Sequence, residues 1–171
     1  MPQLDPFAAE KLDSLPEALL QLIQQAPLPD LDDGPGDPAL AQRIIDLQPS
    51  DFGTLSRGRQ ALCLSGMWLL VGELDQSHSI SQSIESPEGS FWHGIMHRRE
   101  GDFGNAKYWF RRVGPHPVFE DLPELTNQDY DDPFNFVDQC SQAVRKSSSR
   151  REECRRAQWV EWQRLMVHCL C

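Results

Sequence analysis

FWHGIMHRREGDFGNAKYWFRRVGPHPV, residues 91–118, is the stretch of sequence that decides the fold of this chain. Its first half places His93, His97 and Glu100 at positions i, i+4 and i+7, so one face of a predicted helix presents two imidazoles and a carboxylate. A Gly-Asp turn follows, and residues 105–113 predict a second helix that ends at the GPHP segment. The stretch therefore predicts two consecutive helices, the first with a polar face.

A weaker copy of this pattern lies 29 positions upstream, and each copy predicts a helix, a turn that begins with glycine and a second helix. The matching residues are Gly72, Leu74, Ser77 and Ile84 in the first copy, and Gly101, Phe103, Ala106 and Val113 in the second. The second copy resembles the tetratricopeptide pattern, through Gly94, Gly101, Asp102, Phe103, Ala106 and Phe110. That resemblance implies antiparallel helical hairpins at the centre of the fold.

Apolar residues recur at helical spacing through most of the chain, and no segment alternates with period two. We therefore predict an all-α array of about seven helices in a single domain, residues 1–171. Among the predicted helices are residues 75–85 and 90–100, joined by a short turn. The acidic, Pro- and Gly-rich segment 27–38 predicts a flexible loop within that domain.

The net charge of −10 is strongly segregated along the chain. Acids dominate residues 1–56 and 120–138, whereas basic residues cluster around 98–112 and 145–156. This distribution favours internal ion pairing and argues against nucleic-acid binding. Apolar runs are too short for a membrane span, no secretory signal is apparent, and five cysteines lack CxxC spacing, so we expect a cytoplasmic protein with reduced thiols.

The candidate site comes from pairing the two predicted helices 75–85 and 90–100 as antiparallel neighbours. Such a pair sets two similar polar stripes against each other, with His78 near Glu100 and Glu85 near His93. Arg98 and Arg99 lie at the edge of the stripes. The stripes consist of His78, Gln82 and Glu85 on the first helix and His93, His97 and Glu100 on the second.

Three hypotheses explain this pattern. The first is a divalent metal held by His93, His97 and Glu100, since histidines at i and i+4 can reach one ion. The second is a small-molecule pocket, catalytic or not, in which these three residues act as acid or base groups. In that pocket His78, Gln82 and Glu85 contact the ligand, and a small anion is bound by arginines, chiefly Arg98 and Arg99.

The third hypothesis is a structural network, in which Arg98 and Arg99 pair with nearby acids and the chain serves as a helical module that docks a protein partner. The sequence does not choose between an enzyme and a non-enzymatic protein. The strings WHGIMHRRE, NAKYW and RRVGPHP also resemble a family of proteins that share a WHxxxHRRE, NAKYW and RRVGxHP signature. No established activity of that family implies a role for any residue here.

Overall fold

A computed structural model of the chain describes residues 4–145 and 149–170, and within these ranges every regular element is a helix. The prediction of an all-α protein is thus confirmed for the described residues. Within residues 4–145 and 149–170, a 3-10 helix at Pro49–Phe52 accompanies ten α-helices. These are α1 (Pro6–Leu12), α2 (Glu17–Gln25), α3 (Pro38–Ile45), α4 (Arg57–Leu70), α5 (Leu74–Ser81), α6 (Pro87–Glu100), α7 (Phe103–Val113), α8 (Pro117–Leu125), α9 (Pro133–Ala143) and α10 (Ser149–Leu170).

The predicted number of helices, about seven, was too low. The sequence analysis missed α1 and α8, which both begin with a proline. Proline at the first helical position lacks an N–H that would have no partner there anyway, so it starts a helix as readily as it breaks one. In α8 a second proline, Pro123, lies inside the helix. Because Pro115 and Pro117 suggested the end of a helix and the acidic residues 120–138 suggested a connector, α8 went unrecognised.

Two helical hairpins, α4–α5 and α6–α7, form the centre of the fold. Each turn contains a glycine with positive φ, Gly72 at +82° and Gly101 at +91°. Residues that have a Cβ atom rarely adopt this backbone conformation. The hairpin α6–α7 is antiparallel, since His93 contacts Trp109 whereas His97, one turn later in α6, contacts Asn105. The predicted helix, turn and helix order is therefore present in both copies.

Side chains packed directly onto the backbone explain two glycines in these hairpins. A Cβ added to Gly94 would lie 2.9 Å from Cε1 of Phe110, so α6 and α7 pack too closely for any side chain there. A Cβ on Gly66 would lie 2.7 Å from Met166 Cε, where α4 meets α10. Trp162 of α10 also donates its indole N–H to the Gly66 carbonyl, at 2.8 Å. The long helix α10 thus packs against the first hairpin.

The acidic segment before α3 runs across α10 and is bound by its arginines. Arg151 Nη2 lies 2.6 Å from Asp32 Oδ1, and Arg155 Nε donates to the Pro29 carbonyl at 2.8 Å. Gln158 Nε2 donates to the carbonyl of Asp30, at 3.0 Å. The segregated charges of the sequence therefore meet inside the molecule. None of the helices within the described ranges combines the length and the apolar character that crossing a bilayer requires.

Candidate functional site

Three histidines from two helices converge beside the turn of the second hairpin. His78 lies on α5, and His93 and His97 lie one turn apart on α6. The ring of His78 is 4.7 Å from that of His93 and 5.5 Å from that of His97, between centroids. One ring nitrogen from each residue lies within 4.8 Å of the others. We call these three residues the histidine cluster.

His93 is the most enclosed member, with 2% of its surface exposed. Its ring stacks on Trp109 of α7 at a centroid distance of 3.9 Å, and its Nδ1 lies 3.2 Å from Ser81 Oγ. Burial, together with the neighbouring imidazoles of His97 and His78, lowers the pKa of His93 to about 3. His93 is therefore a neutral imidazole at physiological pH.

His97 is held by polar groups on both ring nitrogens. Its Nδ1 lies 2.5 Å from Oε1 of Glu100, and its Nε2 lies 3.2 Å from the side-chain amide nitrogen of Asn105. An ionised carboxylate only accepts hydrogen bonds, so Nδ1 of His97 carries the proton and Nε2 keeps its lone pair. Glu100 therefore fixes both the orientation and the tautomer of His97.

The ring proton of His93 can be placed in the same way. Ser81 Oγ donates to the carbonyl of His78, at 3.4 Å, which leaves the hydroxyl oxygen to accept from Nδ1–H of His93. With the hydroxyl in that orientation, the proton of the neutral His93 ring lies on Nδ1, and Nε2 keeps its lone pair. Two rings of the cluster thus present unprotonated Nε2 atoms.

Gln82 and Glu85 do not continue the polar stripe of His78. Helix α5 ends at Ser81, four residues before the predicted end. Gln82 is the C-cap of the helix, Glu85 lies beyond it on the turn that leads to α6, and both side chains are exposed. The predicted pairings also change. His78 faces the two imidazoles of α6, whereas Glu100 is bonded to His97 of its own helix.

Arg98 faces away from the histidine cluster, into the interior between α6, α9 and α10. Its guanidinium forms a two-pronged ion pair with the fully buried Glu161, with Nη1 3.1 Å from Oε1, and also donates to Gln158 at 3.0 Å. Burial alone would lower the pKa of Arg98, but the Glu161 charge raises it above its usual range. Tyr130 donates to the same carboxylate, at 2.9 Å. Arg98 cannot bind a ligand without breaking this network.

Arg99 is also committed to protein partners. Its Nη1 donates to the Leu69 carbonyl at the end of α4, at 2.5 Å, and its Nε donates to the Asp32 carbonyl at 3.4 Å. Burial lowers the pKa of Arg99 to about 10, which leaves the side chain charged at neutral pH. Arg99 therefore joins the first hairpin to the acidic segment 27–38.

Sequence reasoning missed three residues that contact the histidine cluster. Ser81 carried no signal, because a serine near a helix end is common. Asn105 has the residue type of an N-cap and precedes a predicted helix, but Asp102 caps α7 by accepting from the Asn105 N–H at 3.1 Å, which frees the Asn105 side chain for His97. Trp109 has the residue type of a core aromatic, yet it is partly exposed and covers His93.

A second group of potential ligands overlaps the cluster and consists of His97, Glu100 and Asp102. Both carboxylates are exposed and already accept hydrogen bonds, Glu100 from His97 and Asp102 from the α7 backbone. Binding an ion there would remove the helix cap and the bond that orients His97. The histidine cluster is the better-formed of the two sites.

Comparisons with models of protein families, with curated proteins and with solved structures gave no match. The resemblances to the tetratricopeptide pattern and to the WHxxxHRRE signature therefore stay predictions.

Proposed function

We propose that this chain binds a divalent transition metal of the zinc class through His78, His93 and His97. The observation that carries the proposal is the convergence of three imidazoles from two helices, each with one ring nitrogen within 4.8 Å of the other two. Imidazole is a preferred ligand of zinc, copper and nickel, and three histidines with one open position form a known ligand set for zinc. A small side-chain movement closes the three nitrogens around one ion.

Protonation supports this assignment. A metal needs neutral histidines, and His93 is neutral well below pH 7, so protons compete little with the metal at that ring. The hydrogen bonds to Ser81 and Glu100 hold the protons of His93 and His97 on Nδ1. Nε2 of His93 is then available to an ion, and Nε2 of His97 becomes available once its contact with the Asn105 side-chain amide is given up.

The residues that hydrogen-bond to the histidine ligands also support a metal site. Histidines that bind metals commonly donate their other N–H to a carboxylate or another acceptor, which orients the ring and makes it more basic. Glu100 does this for His97, and Ser81 does it for His93. In this proposal Glu100 orients a ligand and is not itself one, and His78 takes the third position. Asn105, next to Nε2 of His97, lies beside the space that the ion would fill.

The proposal is tested by titrating the metal-free protein with Zn²⁺ in a calorimeter and by measuring bound zinc after gel filtration. We expect His97→Ala to bind one equivalent of zinc less than the unsubstituted protein, and His78→Ala to behave alike. The Glu85→Ala variant serves as the control, because Glu85 is an exposed acid on the turn between the two helices. It should bind as much zinc as the unsubstituted chain.

Two results would contradict the proposal. One is equal zinc binding by the unsubstituted protein and by folded His97→Ala, which would place any bound ion elsewhere. The other is a large loss of stability in His97→Ala with no zinc bound by either protein. That second result would favour the alternative that the cluster is a structural network in a protein-interaction module.

A further inference from the structure

A second cluster of imidazoles lies at the opposite end of α6. Glu88, in the first turn of that helix, has its Oε1 atom 3.3 Å from Nε2 of His168 and 3.7 Å from Nε2 of His116. The two imidazole rings are 4.6 Å apart, between centroids. His168 belongs to α10 and His116 caps α8, so three helices contribute one side chain each. Glu88 precedes His93 by five residues and His97 by nine, which corresponds to about 7.5 Å and about 13 Å along the helix axis.

One atom in this second cluster lacks a partner. Nε2 of His116 is buried and makes no hydrogen bond to any described residue, and the whole side chain is only 3% exposed. Buried polar atoms are nearly always paired, so an exception in a well-packed region points to a missing water or ion. This nitrogen is directed toward the oxygen of Glu88, which is too far away for a hydrogen bond.

We propose that Glu88, His116 and His168 form a second binding site for a divalent transition metal. Two histidines and one glutamate are a ligand set that zinc uses in proteins, with a fourth position left to water. An ion between the three side chains would bond to the unpaired Nε2 atom of His116. The single negative charge of Glu88 would offset part of the charge of the ion.

The surroundings suit such a site. The rings of Phe91 and Phe119 lie 5.4 Å and 6.0 Å from that of His116, and this packing fixes the imidazole. Side chains of His168 and Glu88 are 30% and 23% exposed, so an ion can reach them from solvent. Arg164, a cation near His116, is paired with Asp121, with its Nε 2.7 Å from Oδ2.

Binding would change one backbone contact. Nδ1 of His116 accepts a hydrogen bond from the Val118 N–H, at 3.2 Å, so in the metal-free chain the proton of the neutral ring lies on Nε2. When an ion takes the lone pair of Nε2, that proton moves to Nδ1, and no proton is lost from His116. The bond to Val118 then breaks, and the first turn of α8 loses its side-chain cap.

The test is the metal content of paired variants, with Co²⁺ and Zn²⁺ as probes. We expect His97→Ala, which removes a ligand of the first cluster, to retain one equivalent of metal. Adding His168→Ala or Glu88→Gln to that variant should remove the remaining equivalent, whereas adding Glu85→Gln should leave it. His116 is avoided as a test position because it caps a helix and its substitution can unfold the chain. In addition, hydrogen exchange at the Val118 amide should become at least several-fold faster with metal.

The inference is overturned if folded His97→Ala protein binds no metal, or if His168→Ala and Glu88→Gln both keep its remaining equivalent. Unchanged exchange at Val118 in the metal-loaded protein also overturns it, because His116 cannot ligate and keep that bond. Failure of the first site gives a different pattern, in which His97→Ala changes nothing and His168→Ala alone removes all bound metal. The two proposals can therefore fail independently.

Discussion

Glu100 accepts a hydrogen bond from Nδ1 of His97, one turn earlier in the same helix, at 2.5 Å. This pair explains why a carboxylate belongs beside the histidine cluster without being a metal ligand. The carboxylate holds the ring proton on Nδ1, so that Nε2 keeps its lone pair, which the side-chain amide of Asn105 contacts at 3.2 Å. The next prediction tests that role.

We expect Glu100→Ala to weaken zinc binding by about 10- to 100-fold, since partners that orient a metal-bound histidine typically contribute that much to affinity. Stability of the metal-free protein should change little, because the Glu100 side chain is 38% exposed. The affinity is measured by competition with a chelator of known strength. Glu124→Ala, which removes an exposed glutamate from the last turn of α8, is the matched control and should not alter affinity. If Glu100→Ala and Glu124→Ala bind zinc with equal affinity, Glu100 does not orient a metal ligand.

Arg98 should matter for stability and not for ligand binding. We expect Arg98→Met to lower the free energy of unfolding by about 3–5 kcal/mol, because it leaves the buried charge of Glu161 without its partner. Arg111→Met, at an exposed position on α7, should change it by less than about 0.5 kcal/mol. Urea denaturation of the two variants makes the comparison. If Arg98→Met changes the free energy of unfolding only slightly and abolishes ligand binding, Arg98 belongs to a binding site.

The two glycines of the second hairpin should respond oppositely to substitution. In Gly94→Ala the new methyl group would lie 2.9 Å from the Phe110 ring, so we expect a loss of about 1–3 kcal/mol in unfolding free energy. In Gly104→Ala the nearest atom is 3.9 Å away, and alanine favours the helix, so we expect a gain of up to about 1 kcal/mol. Thermal unfolding measures both. Equal effects would show that α6 and α7 do not pack as closely as described.

Acid should destabilise the metal-free protein partly through His93. Its pKa is about 3 in the folded chain and 6.5 as a free group, so between these values the unfolded state binds a proton that the folded state does not. The free energy of unfolding therefore falls as the pH drops from 6.5 toward 3, by up to about 1.4 kcal/mol per pH unit. Stability above pH 6.5 is unaffected by this group.

The measurement is the slope of unfolding free energy against pH, with a chelator present, for the unsubstituted chain and for His93→Gln. The slope should be shallower in the variant, by up to about 1.4 kcal/mol per pH unit, which corresponds to the uptake of one proton. His116, whose pKa is also lowered by burial, keeps its share of the slope in both proteins. Parallel curves between pH 6.5 and pH 4 would mean that His93 titrates normally in the folded state.

Local patterns in the sequence predicted the parts of the fold that local physics determines. The i, i+4 spacing of His93 and His97 placed both imidazoles on one helical face, and the glycine turns located both hairpins. The packing of α5 against α6 also followed, because a short connection makes adjacent helices pack together, although His78 meets His93 and His97 and not Glu100. Each of these features depends on residues close together in the chain.

Contacts between segments that are far apart in the chain could not be predicted from the sequence. Arg98 and Glu161 lie 63 positions apart, and nothing in their spacing links them, so the arginine looked available to a ligand. The role of Asn105 was missed because Asp102 and Asn105 are both good helix caps, and only the backbone shows which one is used. An error of four residues at the end of α5 likewise placed Gln82 and Glu85 inside the helix, whereas Gln82 is its exposed C-cap and Glu85 lies beyond it.

The most direct test of the metal proposal is an anomalous diffraction map of zinc-loaded crystals, recorded at the zinc absorption edge. We predict a peak bonded to Nε2 of His93, to Nε2 of His97 and to one ring nitrogen of His78, each at about 2.0–2.1 Å. Bound zinc in the crystals with no peak among these three rings would contradict the account.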